Sequence, residues 1–487
     1  MKLFSAEQWG QWDNYTIENE PITSIHLIER AAAALVEQFI SIVKPCAVHV
    51  FCGKGKNAAD GVAMASLLNR LGYSVFVYLI ETPKPSSELA ELVNIHRREL
   101  KYKIIPDVSQ VKAPNQGVVI DCLLGTGFKG ELTEPYRHWI AFINGLNLPV
   151  VAIDLPSGMH VDTAVNLNET SCIRATYTLT VEGWKPSFTQ QESLEFLGAI
   201  KVAKAGLHPQ FYAQTVANRY VICASEVNRI WQPKSMLSTK HTHGHHLVIG
   251  GSQGKWGAPI LTAAASARMG SGLNSIVWVD PPQQVQVPWH IMQLDVHPED
   301  IKWSRFSHVT LGPGMGTSQR AHEWVKAALE QQETPALFDA DALNIVAAQH
   351  WIPQMKAGTI LTPHQGEALR LIGSNAKAEF IVQKVLEQGL IWVDKQARTA
   401  VYTPNGEVWY NSAGNAALAT GGTGDVLAGI IGGAAARWKD PAKACICGVF
   451  LHGYAADLYA QRLGTETLIA SDIIESLPHA IHQLRST

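Results

Sequence analysis

The stretch Asn411-Ser-Ala-Gly-Asn-Ala-Ala-Leu-Ala-Thr-Gly-Gly-Thr-Gly-Asp-Val-Leu-Ala-Gly429 sets five glycines among small residues, then passes through Asp425 into an apolar run. Gly421, Gly422 and Gly424 permit left-handed backbone, so successive N–H groups can turn toward one point. A helix opening near Asp425 adds the positive end of its dipole there. Such a nest suits a phosphoryl group. A carboxylate at the rim of a pure anion site would repel the anion, but it makes sense as a base that takes a proton from an attacking hydroxyl. The plainer reading is a tight helix N-terminus capped by Asp425, and a lone glycine loop does not separate the two. The order of motifs in the rest of the chain does.

A length of 487 residues provides for two or three domains with cores of their own. Apolar residues at 46% and charged residues at 17% mark a folded globular chain. With a net charge of −3 there is no bulk basicity to attract nucleic acid, so a small anion must be met by glycine nests and single lysines. The seven cysteines are odd in number and scattered, with no CxxC pair, which predicts reduced thiols and a cytoplasmic setting. Residues 1–14 contain no apolar signal core and no run approaches a membrane span, so no membrane partner is expected.

In the first half, residues 22–42 read as a helix capped by Thr23 or Ser24. A strand over 47–52 then runs into Gly53-Lys-Gly-Lys-Asn-Ala-Ala-Asp-Gly61 and a helix over 62–71, the strand–turn–helix order of a phosphate-binding doubly wound fold. Alternation continues with strand 74–80, helix 86–100, strand 117–121, helix 136–144 and strand 150–153, which ends in Asp154-Leu-Pro-Ser-Gly158. Strand 177–181 is followed by Lys185. Asp121 and Asp154 both fall at carboxyl ends of parallel strands, the edge where open sheets bind ligands. With an Asn-bearing turn and Ser157 they offer oxygen ligands to a small cation. Singly, each aspartate reads as a turn cap.

The turn at Gly53, the Asp121-Cys-Leu-Leu-Gly-Thr-Gly127 loop and Asp154-Leu-Pro-Ser-Gly158 resemble the NAD(P)H-hydrate epimerase family over roughly residues 3–210. The resemblance implies a Rossmann-like domain that interconverts the C6 epimers of hydrated NAD(P)H and carries potassium. It places Lys56, Asn57, Ala58, Ala59 and Asp60, with Gly125, Thr126, Gly127, Phe128, Lys129, Gly130 and Glu131, along the substrate. Tyr136 and Asp154 contact it, and Asn57, Asp121 and Ser157 ligate potassium. Asp154 is the implied catalytic acid/base, with Lys185 its helper. The family's G-x-G-N-N-G-G-D-G turn is altered here, with Lys56 for the first Asn and Ala58-Ala59 for two glycines. Alanines do not take positive φ cheaply and their methyls hold a phosphate back, while Lys56 adds a charge.

Periodicity lapses over 210–242, and the boundary is set near residue 220, giving domains 1–219 and 220–487. His241-Thr-His-Gly-His-His246 lacks carboxylate or cysteine partners at ligand spacing and reads as a solvent-facing strand entry rather than a metal site. Strands over 247–250, 273–279, 308–311, 336–338, 359–361 and 390–393 lead into glycine- or acid-bearing turns, the plan of a broad parallel sheet with a ligand cleft. Gly312-Pro-Gly314, Asp339-Ala-Asp-Ala-Leu-Asn344, Leu361-Thr-Pro-His-Gln-Gly-Glu367 and 415–429 resemble the ribokinase-like NAD(P)H-hydrate dehydratase domain over roughly 240–480.

Fused behind an epimerase-like domain, this is similar to the family of bifunctional NAD(P)H-hydrate repair enzymes. The implied fold is an N-terminal Rossmann-like three-layer domain followed by a ribokinase-like α/β domain. Ala258, Gly314, His364 and Asp425 are implied to contact the hydrated nucleotide, and Lys395, Gln396, Ala397, Arg398, Thr399 and Gly424 the adenine nucleotide. Asp425 is the implied base, ADP the co-substrate, and Mg2+ the shield of its phosphates. Gln396 in place of a glycine, and Thr239-Lys-His241 in place of His-Lys-Gly, depart from the family pattern. The expected partners are small molecules, hydrated NADH or NADPH and ADP; the apolar helix faces are compatible with a homo-oligomer. The alternative is a ribokinase-like kinase of a small hydroxymethyl heterocycle, its N-terminal domain a non-catalytic interaction module. A dinucleotide oxidoreductase is disfavoured by the lack of a G-x-G-x-x-G fingerprint with a downstream acid at ribose-binding distance.

Overall fold

Apolar strands without alternation must be covered on both faces, which calls for helices above and below a parallel sheet. The computed structural model describes residues 1–81, 84–165, 171–331, 333–373 and 378–486. It divides into two compact units, Lys2–Ala217, and Asn218–Thr487 together with Met1. Among the described residues no helix is long and apolar enough to cross a membrane.

The first unit holds strands β1 (Ala47–Cys52), β2 (Ser74–Ile80), β3 (Tyr102–Ile105), β4 (Val118–Cys122), β5 (Val150–Ile153), β6 (Tyr177–Val181) and β7 (Ala199–Ala203). Their order is 3-2-1-4-5-6-7, and every pairing is parallel. On one face, Ala32, Leu35 and Phe39 of helix Ser24–Ile40 and Val62, Met64 and Leu68 of helix Lys56–Arg70 cover Val48, Val50 and Ile120. On the other, Trp139, Ile140 and Ile143 of helix Glu134–Gly145 cover Phe51, Val119 and Ala152. The winding direction reverses between β1 and β4, which opens the crevice where such sheets hold ligands.

Two local features differ from the sequence reading. Helix Ala6–Asn19, opened by a Ser5–Gln8 capping box, precedes the first helix read from the sequence. The helix after β1 begins at Lys56 rather than near Val62, with Gly55 as its extended N-cap. Ala58 and Ala59 therefore lie in the first helical turns, fully buried and without positive φ, so the expected strain of the altered turn does not arise. The glycines that close approach does require are Gly53, where a Cβ would sit 1.9 Å from the Leu123 carbonyl oxygen, and Gly125, where it would sit 2.8 Å from Asn57 Cβ.

The second unit holds β8 (Arg219–Ile222), β9 (His245–Gly250), β10 (Leu273–Trp278), β11 (Met292–Leu294), β12 (His308–Leu311), β13 (Leu337–Phe338), β14 (Ile360–Leu361), β15 (Ile391–Asp394), β16 (Ala400–Tyr402) and β17 (Val408–Asn411). The order is 11-10-9-12-13-14-15-16-17-8, parallel except where β16 runs against β15 and β17. Helix Thr423–Trp438 crosses helix Gly257–Met269 at backbone distance: a Cβ on Gly429 would lie 2.1 Å from the Thr262 carbonyl oxygen. That contact explains the small residues of the motif. The histidine tract is not a solvent-facing entry throughout. His246 is fully buried, bonded through Nδ1 to Ser266 Oγ and through Nε2 to Thr310 Oγ1, both at 2.8 Å. Burial pushes it well below the usual histidine range, so it is a neutral core residue.

Candidate active sites

In the first unit the carboxyl ends of β1, β4, β5 and β6 converge on a cleft of about 780 Å³. Lys56, Asn57, Asp60, Gly125, Thr126, Gly127, Phe128, Lys129, Glu131, Tyr136 and Asp154 line it, as does Lys185. Ala58 and Ala59 do not; their side chains pack into the core beneath the helix, and Gly130 also falls outside the lining.

Asp154 follows β5 in left-handed backbone (φ 67°), a conformation that costs a non-glycine residue about 1–3 kcal/mol and tends to persist at functional sites. Its Oδ1 meets Lys185 Nζ at 2.6 Å and accepts from Val181 N at 3.2 Å. Lys185 is 1% exposed, a burial tolerated because Nζ also donates to Thr180 Oγ1 and the Val181 carbonyl, both at 3.0 Å. The Trp9 ring lies 4.2 Å from the same ammonium. Two more carboxylates share the cleft. Burial pushes Asp60 well above the usual range, aided by Asp154 and Asp13. Burial raises Asp13 to about 6, with Lys56 opposing. Trp9 and Asp13 come from the N-terminal helix, and no turn motif in the sequence marks them.

Beneath the cleft, Asp121 is fully buried; its carboxylate accepts from Ser157 N at 2.8 Å, Ser157 Oγ at 2.6 Å and Leu123 N at 3.2 Å. Asn57 Nδ2 donates to the Leu124 carbonyl at 2.7 Å, and Ser157 Oγ accepts from Leu124 N at 2.9 Å. All three expected cation ligands thus meet the 123–124 turn. Asn57 Oδ1 is buried without a hydrogen-bond partner, and burial holds Asp121 at about 6. An unpartnered amide oxygen beside a desolvated carboxyl fits a cation with oxygen ligands. Among the described residues no group of three His, Cys, Asp or Glu side chains is arranged for a metal.

In the second unit the site forms at the carboxyl ends of β9, β12, β13, β14 and β15. Gly422, left-handed at φ 88°, caps helix Thr423–Trp438, and Asp425 sits in its first turn. Burial raises Asp425 to about 7, reinforced by Asp339 and Asp341 and opposed by Lys395. Lys395 Nζ is held by Asp339 at 2.7 Å and lies 3.9 Å from Glu367. It also faces the nest: a Cβ on Gly424 would lie 3.8 Å from Nζ. Thr362 Oγ1 donates to Asp339 at 2.7 Å, and Gly316 N donates to Asp341 at 2.8 Å. Asp339, Asp341 and Glu367, to which the motifs alone assign no role, surround the lysine and the base.

His364 caps helix Gln365–Ile372, its Nδ1 accepting from Gly366 N at 2.9 Å, so Nε2, 3.5 Å from Glu367, is the ring nitrogen left to meet a ligand. Thr262 Oγ1, one turn beyond Ala258, donates to the carbonyls of Ala258 and Asp425, both at 3.0 Å. Gly314, at φ 57°, packs against Ala258, whose Cβ a substituent there would approach to 3.2 Å. Ala258, Gly314, Asp425, Gly424 and Lys395 therefore form one connected wall, with His364 joined through Glu367. Gln396 and Ala397 are exposed in the turn after β15, and Gln396 Nε2 donates to Asp394 at 2.6 Å. Arg398 and Thr399 are half-buried there, Arg398 donating to the Ser412 carbonyl.

Comparison with known proteins follows the same division. Residues 246–479 match the NAD(P)H-hydrate dehydratase family and residues 24–187 the YjeF-related protein N-terminus family. A bifunctional NAD(P)H-hydrate repair enzyme of Moorella thermoacetica is 31% identical over 99% of this chain and 97% of its own length. One from Coxiella burnetii is 32% identical, covering 88% of this chain and 89% of its own. A crystal structure of a ribokinase-like superfamily protein from Enterococcus faecalis superposes with a TM-score of 0.50 at 23% identity, covering 56% of this chain and 99% of that one, which shows the fold of the second unit. With two relatives above 30% identity along nearly its whole length, the chain belongs to the family of bifunctional NAD(P)H-hydrate repair enzymes.

Proposed function

We propose that the two units divide NAD(P)H-hydrate repair between them. Lys2–Ala217 interconverts the R and S forms of hydrated NAD(P)H, and the second unit dehydrates the S form with ADP, giving NAD(P)H, AMP and phosphate. The observation that carries this reading is Asp425, a desolvated carboxyl at about 7 on the rim of a glycine-capped helix N-terminus. A base poised near neutrality there takes the proton of the C6 hydroxyl as its oxygen attacks the terminal phosphate of ADP. The N–H of Gly424, in the first helical turn, meets the charge that grows on the phosphoryl oxygens, such a donor being worth about 3 kcal/mol. Lys395 adds its charge from the adjacent strand end. The phosphate ester then leaves with the C6–O bond as a C5 proton is lost, restoring the C5–C6 double bond. Phosphorylation supplies the leaving group that hydroxide lacks.

Ala258, Gly314 and His364 Nε2 contact the hydrated nucleotide in this scheme, and Lys395 to Thr399 with Gly424 hold the adenine nucleotide. The carboxylates near Lys395 are committed to protein partners and form no dedicated magnesium site, so no residue is assigned to hold that ion. In the first unit the lining residues hold the substrate, with Asp154 as acid/base and Lys185 holding its carboxylate in place. Asn57, Asp121 and Ser157 would hold potassium; bound there, it compensates the buried Asp121 charge and fixes the 123–124 turn. All seven cysteines are free, which supports a cytoplasmic setting.

The test is recovery of absorbance at 340 nm after adding protein and ADP to a mixture of both NADH-hydrate epimers. Recovery of the S form, with the R form following at an enzyme-dependent rate, is expected. A second phase at the spontaneous rate removes the epimerase half, and no recovery with either ADP or ATP removes the repair reading in favour of a heterocycle kinase.

A further inference from the structure

We propose that Asp13, from the N-terminal helix, is a second catalytic acid/base of the epimerase cleft, acting on the opposite face of C6 from Asp154. This rests on the epimerase reading of the first unit. Helix Ala6–Asn19 turns one face to the cleft: Trp9, Gly10, Asp13 and Ile17 recur at the helical spacing and all line it. The helix is held firmly. Trp12 Nε1 donates to the His208 carbonyl at 2.9 Å, Thr16 Oγ1 accepts from His208 N at 3.0 Å, and Trp9 stacks on Trp12.

Through Trp9 the helix also touches the ammonium that pairs with Asp154, so Asp13 and Asp154 face one volume from a helix and from the sheet edge. Its neighbours Trp12 and Thr16 are bonded, yet Asp13 makes no hydrogen bond or ion pair among the described residues. Asp13 is partly exposed where it lines the cleft, so its carboxyl is available to a ligand rather than taken up by the fold. The charged groups that face it are Lys56 and Asp60 on helix Lys56–Arg70, Asp154 after β5 and Lys185 after β6. Asp154 has a lysine in direct contact and Asp13 has none, so the pair divides into an ion-paired carboxylate and a carboxyl that keeps its proton at higher pH than an ordinary one.

The division matches what epimerisation of a 6-hydroxy ring amine requires. In one direction Asp13 gives its proton to the C6 hydroxyl, the C6–O bond breaks with its electron pair leaving as water, and the N1 lone pair forms C6=N1. A water on the other face adds to C6, the π pair returns to N1, and Asp154 takes that water's proton. One proton returns from Asp154 to Asp13 through solvent, so nothing is consumed. The reverse direction exchanges the two roles.

The experiment follows R-to-S conversion of purified hydrated NADH by chromatography without ADP, against pH, for the full chain and its Asp13→Asn, Asp13→Glu and Asp60→Asn variants. The expected result for Asp13→Asn is a kcat lowered at least ~100-fold with KM within about twofold, and loss of the alkaline fall in rate that sets in as Asp13 loses its proton. Asp13→Glu keeps that fall at a reduced rate, and an unchanged thermal melt certifies the fold. Wild-type kcat in Asp13→Asn, an effect on KM alone, or an alkaline fall removed by Asp60→Asn instead would overturn the assignment. If Asp13→Asn melts early, Asp13→Glu decides: a midpoint identical to that of the wild type sinks it. A wild-type chain that does not epimerise defeats the underlying epimerase reading, an outcome distinct from all of these.

Discussion

Asp154 and Asp425 each stand at the entrance of a site in their own unit, yet their surroundings differ in kind. Asp154 has its cation in contact, Lys185 at 2.6 Å, and its carboxylate is fixed further by Val181 N. Around Asp425 the lysine is already claimed, Lys395 being held by Asp339 at 2.7 Å. Desolvation and the nearby Asp339 therefore outweigh the pull of Lys395, and Asp425 rises to about 7. A carboxylate paired this closely is an acid/base held in one position by its cation. One left unpaired in a dry site is a poised base, and the fold bears the cost of keeping it so.

The comparison breaks most sharply at the base itself. Asp425→Asn should lower the dehydration rate by up to ~10⁴-fold while leaving epimerisation and ADP binding near wild type, because one buried base carries the proton. Purified S epimer with ADP at 340 nm reads this, and surviving turnover would take Asp425 out of the role. At the other pole, Lys185→Met should destabilise the first unit by about 3 kcal/mol, since it leaves a carboxylate in a buried site without its partner. Chemical denaturation followed by tryptophan fluorescence measures that loss; an unchanged midpoint would mean that Asp154 finds solvent.

Titration separates the two further. Asp425 acts as a carboxylate, so kcat/KM for dehydration should rise about tenfold per pH unit below 7 and level off above it. Its folded value lies above the ordinary 3.8, so charging it opposes folding. The contribution of Asp425 to the stability of the second unit should fall as pH rises from about 4 to about 7, and Asp425→Asn should recover about 2 kcal/mol at pH 8. A variant no more stable than the parent at that pH would show that Asp425 is solvated.

What the sequence made legible were the points where a strand ends in a glycine or an acid. β1, β2, β5, β6 and β12 lie where their apolar runs put them, Asp121 falls at the end of β4, and Asp154, Asp339 and Asp425 fall at turns or helix starts. These features are local, since a turn needs particular residues at particular places. Contributions that depend on what a segment packs against stayed hidden. Asp13 and Trp9 sit on an ordinary amphipathic helix, and only its docking aims them at the cleft. His246 reads as part of a polar tract until Ser266 and Thr310 are brought to its two nitrogens. The edge strands β3, β7 and β11 and the hairpin β16–β17 are short and do not lead into a glycine- or acid-bearing turn of a recognised motif.

Ala58 and Ala59 are the instructive misreading, because a substitution that threatens a left-handed turn is harmless inside a helix. Both lie in the first turns of helix Lys56–Arg70 with no exposed surface, and the demand for glycine falls on Gly53 and Gly125 instead. Restoring the family's glycine at Ala58 should therefore destabilise the first unit by about 1 kcal/mol, through backbone entropy and a lost buried methyl, without speeding epimerisation. Measured by denaturant midpoint alongside R-to-S rate, that pairing of a small loss with no gain is the expected result. A glycine variant that epimerises severalfold faster would mean that the substrate needs backbone room at this turn, and that the two alanines slow this chain's first reaction.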